Sequence, residues 1–563
     1  MKSKPPGRDL RIGLGRLVEF SAVFTAALLF FLPGIMTLDI GWDEPVYVLA
    51  GRAYVEAVAS RDFFGSVWAW NHEHPPLAKY IYGYFSLAFG TSLGSPYFGA
   101  RVASSIMAAL TVALTYVFAS GAFKSSTGVF SAALLASTPF FYGMSRYVSL
   151  DLPVTMLTCA TLYAFYKGVE ARSVCWVLVS ALFFGLSGSA KVSGFVVFLV
   201  LLAWLLFRFG GSLPPKLRTA NEHAGRLIAA LILYPAIGAS VFVASWPWLW
   251  VDTYDRLVGP DGVLTYAGRF KAWGHEEFFG GGLVWHPPPY YYVYYLLVKT
   301  PIPTLLMFLV GLLSVLDMKF RRQSGGAAVL TVLWFAVTLA VQTYQQPYDA
   351  LRPVLPIFPP MAIISSWGVE RTASWVVGAV RSSRPSKFLN RSSVERRPSA
   401  RSLLTCALFL ALLTSSLLAI VTTRPLEISY FNELAGDSAS ILSTFESSFW
   451  AEGLGEAVRY VNEFAPPGVS IVVIGETAAF NEFHRSDLHI FDYVPPSELA
   501  SRNVEYVVFQ GFYLQHFVWQ NRTAWGRPSS GLDLWEYLQT EGSLVHVVTA
   551  GNAPLVWIFR VEH

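Results

Sequence analysis

Long apolar runs recur along almost the whole length of this 563-residue chain, and they constrain its fold more than any other feature. Each run holds about 17 to 25 mostly apolar residues, the length that an α-helix needs to cross the hydrocarbon core of a bilayer. Backbone amides cannot stay unpaired in lipid, and the runs lack the alternation of a barrel strand, so they are predicted to be helices. The eleven candidate spans are 17–38, 97–119, 127–143, 150–167, 173–190, 193–209, 226–248, 300–317, 327–343, 351–369 and 402–422.

The composition agrees with a membrane location. Apolar residues make up 54% of the chain and charged residues only 14%, whereas a soluble protein carries about 25% charged residues. The net charge of +4 is small and spread over the loops, which excludes an extended basic face for nucleic acid. Cys159, Cys175 and Cys406 lie inside apolar runs without ligand spacing, so we expect neither disulfides nor a thiolate metal site.

Lysine and arginine are unevenly distributed between the loops, and this sets the predicted orientation. With the N-terminus inside, the inner segments hold 23 of these residues, and the outer loops before the C-terminal region hold nine. Positive residues are retained on the cytoplasmic side. We therefore expect a multi-pass protein of the plasma membrane with a cytoplasmic N-terminus, a retained first span, and two long external loops, 39–96 and 249–299. The Ser-, Arg- and Pro-rich stretch 381–399 is predicted to be a flexible cytoplasmic loop.

The character of the chain changes after the last apolar run. Three short β-branched runs bounded by Gly, Pro or Asn follow, together with one segment of helical periodicity. This pattern predicts a small external soluble α/β domain over 423–563, after a transmembrane domain over 1–422. The β-branched runs are 469–475, 504–510 and 544–550, and the helical segment is 451–464.

The first external loop carries the densest set of chemically useful side chains. Asp43 and Glu44 follow the first span directly, so their carboxylates lie near lipid head groups without the cost of the bilayer centre. Further along, His72, Glu73 and His74 cluster before a pair of prolines, and such side chains are ligands for divalent metals. On composition alone, an ordinary polar loop explains both groups as well.

Charged and aromatic residues also lie at the outer ends of later spans. Arg146 and Asp151 stand five residues apart at one such end, where they could simply pair with each other. In the second long loop, five tyrosines between 290 and 295 lead to Lys299 and suit an interfacial helix. Lys299 or Arg352 would suit a phosphate, although long cationic side chains also extend to the interface without a ligand.

These motifs together resemble a known family. WDE after the first span, HPPL later in that loop, an aromatic segment running into KTP, and RPVLPIFPP before a late helix are similar to the C-type (GT-C) glycosyltransferases. More narrowly, residues 1–422 resemble the branch of protein O-mannosyltransferases and lipid A aminoarabinose transferases, glycosyltransferase family 39. The resemblance implies a GT-C fold, which is a polytopic α-helical membrane protein, here with about eleven transmembrane helices and a small external α/β C-terminal domain.

The resemblance also implies roles for individual residues. Asp43 takes the position of the family's general base. We expect Glu44, which would orient its neighbour or the acceptor, and Asp151, the alternative base, to complete the catalytic set. The family's basic residues near the lipid phosphate correspond to Arg101, Lys299 and Arg352. We further expect the tyrosine strip 290–295, with Tyr291 and Tyr292 as substrate contacts, to line with Lys299 the groove that holds the lipid phosphate.

A divalent metal ion is the one cofactor that the resemblance leaves open. A histidine or glutamate before the Pro pair of the first loop, with a histidine of the second, lies near a metal in some members. These positions correspond to Glu73 or His74, and to His275 or His286. His74 stands where the aminoarabinose branch usually has lysine, so metal dependence stays open.

The implied reaction is an inverting, single-displacement transfer of one sugar, mannose or a related one, from a polyprenyl- or dolichyl-phosphate carrier. The acceptor is a hydroxyl of a protein, lipid or glycan. A lipid-linked sugar transporter or flippase would favour charged residues within spans and an internal repeat, and the sequence shows no convincing repeat. An oligosaccharyltransferase acting on protein Asn shares the broad architecture, but no WWD-like segment occurs in the C-terminal region.

Overall fold

The computed structural model combines a helical membrane region with a mixed sheet in the C-terminal quarter, the sheet region. Of the predicted cytoplasmic loop at 381–399, residues 383–398 lie outside the described residues. The described residues are 7–210, 222–316, 326–382, 399–523 and 529–561.

Six helices of the described chain are long and apolar enough to cross a membrane, judged by length and composition. A polytopic helical architecture is therefore present as predicted, while the count of eleven spans stays a prediction. The six segments are Leu14–Phe31, Pro96–Ala122, Val192–Phe209, Gly225–Ala244, Ala327–Gln345 and Ala400–Thr423, and shorter apolar helices cover Ser125–Ser137, Val174–Ala190 and Ile302–Ser314.

The helices of the membrane region include the candidate spans in their predicted order and shorter helices within the two long loops. They are α1 (Gly7–Phe31), α2 (Glu44–Ala59), α3 (Leu77–Leu93), α4 (Pro96–Ala122), α5 (Ser125–Ser137), α6 (Pro139–Met144), α7 (Asp151–Ala171), α8 (Val174–Ala190), α9 (Val196–Phe209), α10 (Glu222–Ala244), α11 (Thr253–Val258), α12 (Val263–Trp273), α13 (Tyr291–Lys299), α14 (Ile302–Ser314), α15 (Ala327–Gln345), α16 (Phe358–Ser382) and α17 (Ala400–Thr423).

The predicted span 351–369 does not begin as an α-helix. Its first residues form a 3₁₀ helix, Arg352–Ile357, and the α-helix starts only at Phe358. Pro353 and Pro356 account for this difference, because each removes a backbone donor and restricts the residue before it. Arg352 consequently lies at the end of the helical bundle where the first long loop begins, in contact with Asp43 of that loop. We call this end the mouth of the bundle.

The first long loop is itself helical, and its two helices are in backbone contact. A methyl group built on Gly51 of α2 would lie 2.2 Å from the carbonyl oxygen of Lys79 in α3. One built on Gly83 would lie 2.1 Å from the backbone of Gly51. Only glycine fits at these two positions, and the close approach fixes α2, with Asp43 at its N-terminus, against the rest of the loop.

The C-terminal region contains a five-stranded sheet with the order β4-β3-β5-β7-β6. Strand β3 is parallel to β4 and β5, and β7 is antiparallel to β5 and β6. The three predicted strands are present as β3, β5 and β6, and the predicted helix as α19. The elements of this region are α18 (Ser438–Thr444), α19 (Leu454–Phe464), β3 (Ser470–Ile474), α20 (Ala478–Phe483), β4 (His489–Phe491), β5 (Val504–Gln510), α21 (Gly511–Tyr513), α22 (Leu532–Glu541), β6 (Gly542–Ala550) and β7 (Ala553–Val561), and the second long loop adds the hairpin β1 (Glu277–Phe279) and β2 (Gly282–Val284).

One continuous apolar core joins the membrane region and the sheet region. It runs from Ala27 in the first helix to Ile558 in the last strand. The buried carboxylate of Asp39, just after α1, accepts hydrogen bonds from the backbone amides of Gly453 (2.5 Å) and Gly455 (2.6 Å) at the start of α19. The sheet region therefore packs directly on the first loop, and its predicted boundary at residue 422 stays a prediction.

Candidate active site

Asp43 lies at the mouth of the helical bundle, as the N-cap residue of α2. Its carboxylate accepts hydrogen bonds from the Arg352 guanidinium and from the Tyr47 hydroxyl at 3.3 Å. The side chain is 24% exposed, so a second molecule can still reach it. Burial by itself would raise the pKa of Asp43, but the Arg352 charge and hydrogen bond outweigh burial and hold the pKa below its ordinary value.

Arg352 is the centre of a cluster of charges at this mouth. Its guanidinium donates to Asp43 and to Asp349, and its Nε lies 3.9 Å from Asp151 Oδ2. Asp151, the first residue of α7, pairs at 2.6 Å with Lys191. The cluster thus contains three carboxylates and two cations, and cations held this way are preorganised to stabilise an anion.

Glu44, next to Asp43, has entirely different surroundings. It is fully buried and forms an ion pair at 2.5 Å with Arg101, and it accepts the backbone amides of Gly41 (2.9 Å) and Val148 (2.8 Å). Arg101 spends its remaining donors on the carbonyl oxygens of Ile35, Leu38 and Asp39. These contacts favour a structural role for both residues, fixing the first loop, over the predicted catalytic role of Glu44 and phosphate contact of Arg101.

A group of three metal-ligand side chains lies beside the cluster. Donor atoms of His275, Glu277 and Asp349 lie within 4.8 Å of one another, and the described residues offer one such group. His275 Nδ1 is 2.7 Å from Glu277 Oε1. Burial raises the pKa of Glu277 to about 7 and raises that of Asp349. Although burial opposes it, the Glu277 carboxylate raises the pKa of His275 to about 9.

The other predicted metal residues lie apart from this group. Glu73 accepts a hydrogen bond from the Asn71 side chain. The ring of His74 lies 6.0 Å from that of Tyr47, and burial, the largest cause, lowers the pKa of His74 to about 3. His286 Nδ1 is 3.2 Å from the side-chain oxygen of Gln346. Of the four predicted residues, His275 alone enters the three-ligand group.

Two buried tyrosines of helix α13 contact the turn 348–350 and Glu277. The Tyr291 hydroxyl donates to Glu277 Oε2 at 2.7 Å and accepts the backbone amide of Ala350 at 3.0 Å, and the Tyr292 hydroxyl accepts the amide of Tyr348 at 3.2 Å. Both side chains are fully buried. Tyr291 and Tyr292, which were predicted to contact the substrate, therefore support the turn 348–350 that carries Asp349.

Lys299, at the end of α13, is buried against residues 428–431 of the C-terminal region. Its ammonium donates to the carbonyl oxygen of Ile428 at 2.9 Å and lies 4.0 Å from the centre of the Phe431 ring. Burial lowers its pKa to about 7. This position favours a structural role for Lys299 over the predicted contact with a lipid phosphate.

Sequence reasoning missed Lys191, Asp349 and Glu277. Lys191 carried a signal, because a lone lysine between two apolar runs is costly unless it has a partner or a function. Asp349 stands three residues before Arg352 and Glu277 two after His275, so each lay beside a residue already considered. Nothing in the sequence pattern shows that these segments meet.

Comparisons with known proteins agree with the motifs. Residues 73–238 match the family described as dolichyl-phosphate-mannose-protein mannosyltransferase. The chain is 36% identical over 113 residues to the undecaprenyl phosphate-alpha-4-amino-4-deoxy-L-arabinose arabinosyl transferase of Pseudomonas savastanoi pv. phaseolicola, covering 19% of this chain and 20% of that protein. The chain thus matches about a fifth of the length of this curated relative. The resemblance to the branch of protein mannosyltransferases and aminoarabinose transferases is confirmed.

Two solved structures align with most of this chain. ArnT from Cupriavidus metallidurans bound to undecaprenyl phosphate aligns over 97% of this chain and 98% of its own, at 16% identity and a TM-score of 0.48. The Archaeoglobus fulgidus oligosaccharyltransferase in the apo form aligns over 89% of this chain and 71% of its own, at 11% identity and a TM-score of 0.48.

Proposed function

We propose that this protein is a membrane glycosyltransferase that moves one sugar from a polyprenyl- or dolichyl-phosphate carrier to a hydroxyl group of its acceptor. The observation that carries the proposal is the ion pair of Asp43 with Arg352 at an accessible point beside Lys191. A base and two cations at one point are what this reaction requires. The family match over 73–238 supports the same reaction class.

Asp43 serves as the general base. The acceptor oxygen attacks the anomeric carbon, the bond from that carbon to the phosphate oxygen breaks, and the acceptor proton passes to the Asp43 carboxylate. The lipid phosphate leaves with the electron pair of the broken bond. A base must be deprotonated to act, and Arg352 keeps Asp43 in that form by lowering its pKa. One displacement of this kind inverts the anomeric centre.

Arg352 and Lys191 are the proposed partners of the leaving phosphate. Both are held by carboxylates, Arg352 by Asp43 and Asp349 and Lys191 by Asp151. Because the protein has already fixed these cations, they need little reorganisation when negative charge develops on the leaving group. Asp151 is in this view a residue that positions Lys191.

The group of His275, Glu277 and Asp349 suits a divalent cation. One imidazole nitrogen and two carboxylates form a mixed N/O donor set that fits Zn²⁺ or Mn²⁺, and a cation there would relieve the crowding of the buried Glu277 and half-buried Asp349 carboxyl groups. When bound, such an ion supplies further positive charge beside the leaving phosphate. We expect a divalent ion to co-purify with the parent and to be lost from His275→Ala, measured by elemental analysis. Equal metal content in both would contradict this assignment.

The names of the matched family and of the curated relative support the sugar and the acceptor only as broad classes. The matched family is described by mannose transfer to protein, and the curated relative by transfer of an aminoarabinose. The proposed donor class is therefore a single mannose, aminoarabinose or related sugar on a lipid phosphate. The acceptor class is a hydroxyl-bearing protein, glycolipid or glycan.

The decisive experiment is Asp43→Asn in purified, lipid-reconstituted protein, assayed with both sugar donors for release of polyprenyl phosphate. Asparagine keeps the size and hydrogen bonding but loses the basicity, so the rate should fall by about 10²–10⁴-fold. Asp255→Asn, an exposed residue of the second loop, is the matched control and should stay at the parent rate.

Two outcomes would contradict the assignment of the base. Transfer by Asp43→Asn within a few-fold of the parent would remove Asp43 from this role. Full loss of turnover in Asp151→Asn, with Asp43→Asn still active, would move the role to Asp151.

Comparing the masses of membrane glycolipids and surface glycoproteins with and without the protein would identify the acceptor.

A further inference from the structure

The segment 446–453 of the C-terminal region contacts the charge cluster. Trp450, which lies in this segment, is only 2% exposed. The centre of the Arg352 guanidinium lies 5.2 Å from the centre of that ring, a distance at which a cation is attracted to an aromatic face. The cation that contacts Asp43 therefore also contacts a side chain of the sheet region.

Trp450 touches the other segments that build the site as well. Its ring centre lies 5.4 Å from that of Tyr147, in the segment that leads to Asp151. A methyl group built on Gly41, two residues before Asp43, would lie 3.5 Å from two carbons of the indole. One ring thus packs against the elements that carry Asp43, Asp151 and Arg352.

The backbone around Trp450 is held in an unusual shape. Ser448 and Ala451 both have positive φ, at 55° and 68°, which residues with a Cβ seldom adopt. The shape is fixed by hydrogen bonds: Gln510 at the end of β5 donates to the carbonyl oxygen of Ser448 at 2.9 Å, and the Trp450 amide donates to Glu452 at 2.8 Å. Strained backbone that its surroundings hold in place is concentrated at functional sites.

The indole nitrogen adds an independent observation. Trp450 Nε1 is buried and has no hydrogen-bond partner among the described residues. A tryptophan in such a place leaves a polar atom unpaired, and leucine or phenylalanine would not. The indole donor therefore contributes no hydrogen bond at this position, and the contact that the ring makes with Arg352 is through its aromatic face.

We propose that Trp450 is a positioning residue of the active site, whose ring holds the Arg352 guanidinium in contact with Asp43. The sheet region is then part of the catalytic unit, because it supplies the surface on which the central cation rests. The catalytic reading of this contact rests on the proposed function, while the contact itself is open to a test without turnover.

The test compares Trp450→Phe with Trp450→Met in the full-length, lipid-reconstituted protein. The two replacements are similar in volume, but only phenylalanine keeps an aromatic face. The first readout is the pH at which carbodiimide labels the Asp43 side chain, located by peptide mass spectrometry. Only the protonated carboxyl reacts, so a looser Arg352 moves the labelling to higher pH. We expect this shift in Trp450→Met and parent behaviour in Trp450→Phe.

The second readout is turnover. Misplacement of a reacting group by about 1 Å can cost about 100-fold in rate, and we expect kcat of Trp450→Met to fall by at least about 10-fold with the acid limb of its pH profile moved upward. Trp535→Met is the control, because Trp535 packs against Phe509 and Phe559 in the sheet, away from the site. It should show neither change.

The outcomes separate this proposal from the proposed function. Labelling curves that coincide for Trp450→Met, Trp450→Phe and the parent overturn the positioning role, whether or not the parent transfers sugar. A parent without transferase activity overturns the proposed function, and the labelling then decides on Trp450 alone. If Trp450→Met fails to fold, tetrafluorotryptophan at position 450 keeps the shape while weakening the ring face. Parent-like labelling in that protein overturns the proposal.

Discussion

Asp43 and Glu44 show how much two adjacent carboxylates can differ. Asp43 is the N-cap of α2 and stays partly exposed, whereas the next side chain turns inward onto Arg101. Removing one partner of such a buried ion pair typically costs about 3–5 kcal/mol, so loss of activity after a change at Glu44 would report instability. Asp43 is the more exposed carboxylate of the two, so a change there is the better test of the proposed reaction.

The Arg352–Asp43 pair predicts a pH effect of defined sign. Arg352 lowers the pKa of Asp43 against the effect of burial, so the base stays active below the pH at which an ordinary aspartate is protonated. Arg352→Lys keeps the charge but loses the planar fork that serves both Asp43 and Asp349. We expect the acid limb of the kcat/KM profile to move to higher pH. The measurement is that profile from pH 3 to 8, with the exposed Arg459→Lys as control.

An unchanged acid limb in Arg352→Lys would show that another group sets the titration.

The lowered pKa of Asp43 also has a consequence of known sign for the stability of the protein. A carboxylate whose folded pKa is lowered stabilises the protein above its unfolded pKa, about 3.9, and this contribution is lost as the pH falls through the folded pKa.

At the scale of elements, the tyrosines of helix α13 connect this helix to the proposed metal group. Its buried face supports the turn 348–350 through two tyrosine hydroxyls, while Tyr290 and Tyr294 point outward. The strip therefore acts on the site through Asp349 and Glu277. This arrangement differs from the predicted groove for the lipid, in which the tyrosines would contact the donor themselves.

Tyr291→Phe tests this role of the helix. It removes one hydroxyl that donates to Glu277 and accepts from Ala350, and outer partners of this kind commonly contribute about 10- to 100-fold in metal affinity. We expect weaker metal retention on dialysis and slower transfer. Tyr294→Phe, on the exposed face, should match the parent in both measurements, and equal behaviour of the two variants would refute the supporting role of Tyr291.

Local elements were largely predictable from the sequence, and the site was predictable only in part. The strands β3, β5 and β6 and the helix α19 follow from local periodicity and turn residues. The motifs singled out Asp43 and Arg352, but the pairing itself spans 309 residues. The partners Lys191 and Asp349 come from other loops, and a local pattern holds no information on which loops meet.

For the whole molecule, contacts across the site constrain the topology. Asp39 and Asp43 of the first loop, Glu277 of the second and Trp450 of the C-terminal region all join one assembly. These three parts of the chain must therefore share one side of the membrane. The distribution of Lys and Arg predicts that this side is external.

Cysteine labelling in whole cells tests the orientation. In a background without Cys175 and Cys406, which are exposed, a membrane-impermeant reagent should label Asn521→Cys and miss Ala171→Cys until the cells are opened. Both positions are exposed, so access to the protein surface does not differ between them. The reverse pattern would overturn the external placement of the active site.

The bonds from the Gly453 and Gly455 amides to Asp39 have a consequence for the order in which the molecule is made. Asp39 leaves the ribosome early, and the first of these partners follows 414 residues later. At about 5–20 residues per second, synthesis of that stretch takes roughly 20 to 80 s. During this time the nascent protein holds an unpaired carboxylate beside an unfinished site, so protease resistance of the first loop in a pulse–chase should appear only after the last quarter of the chain is complete.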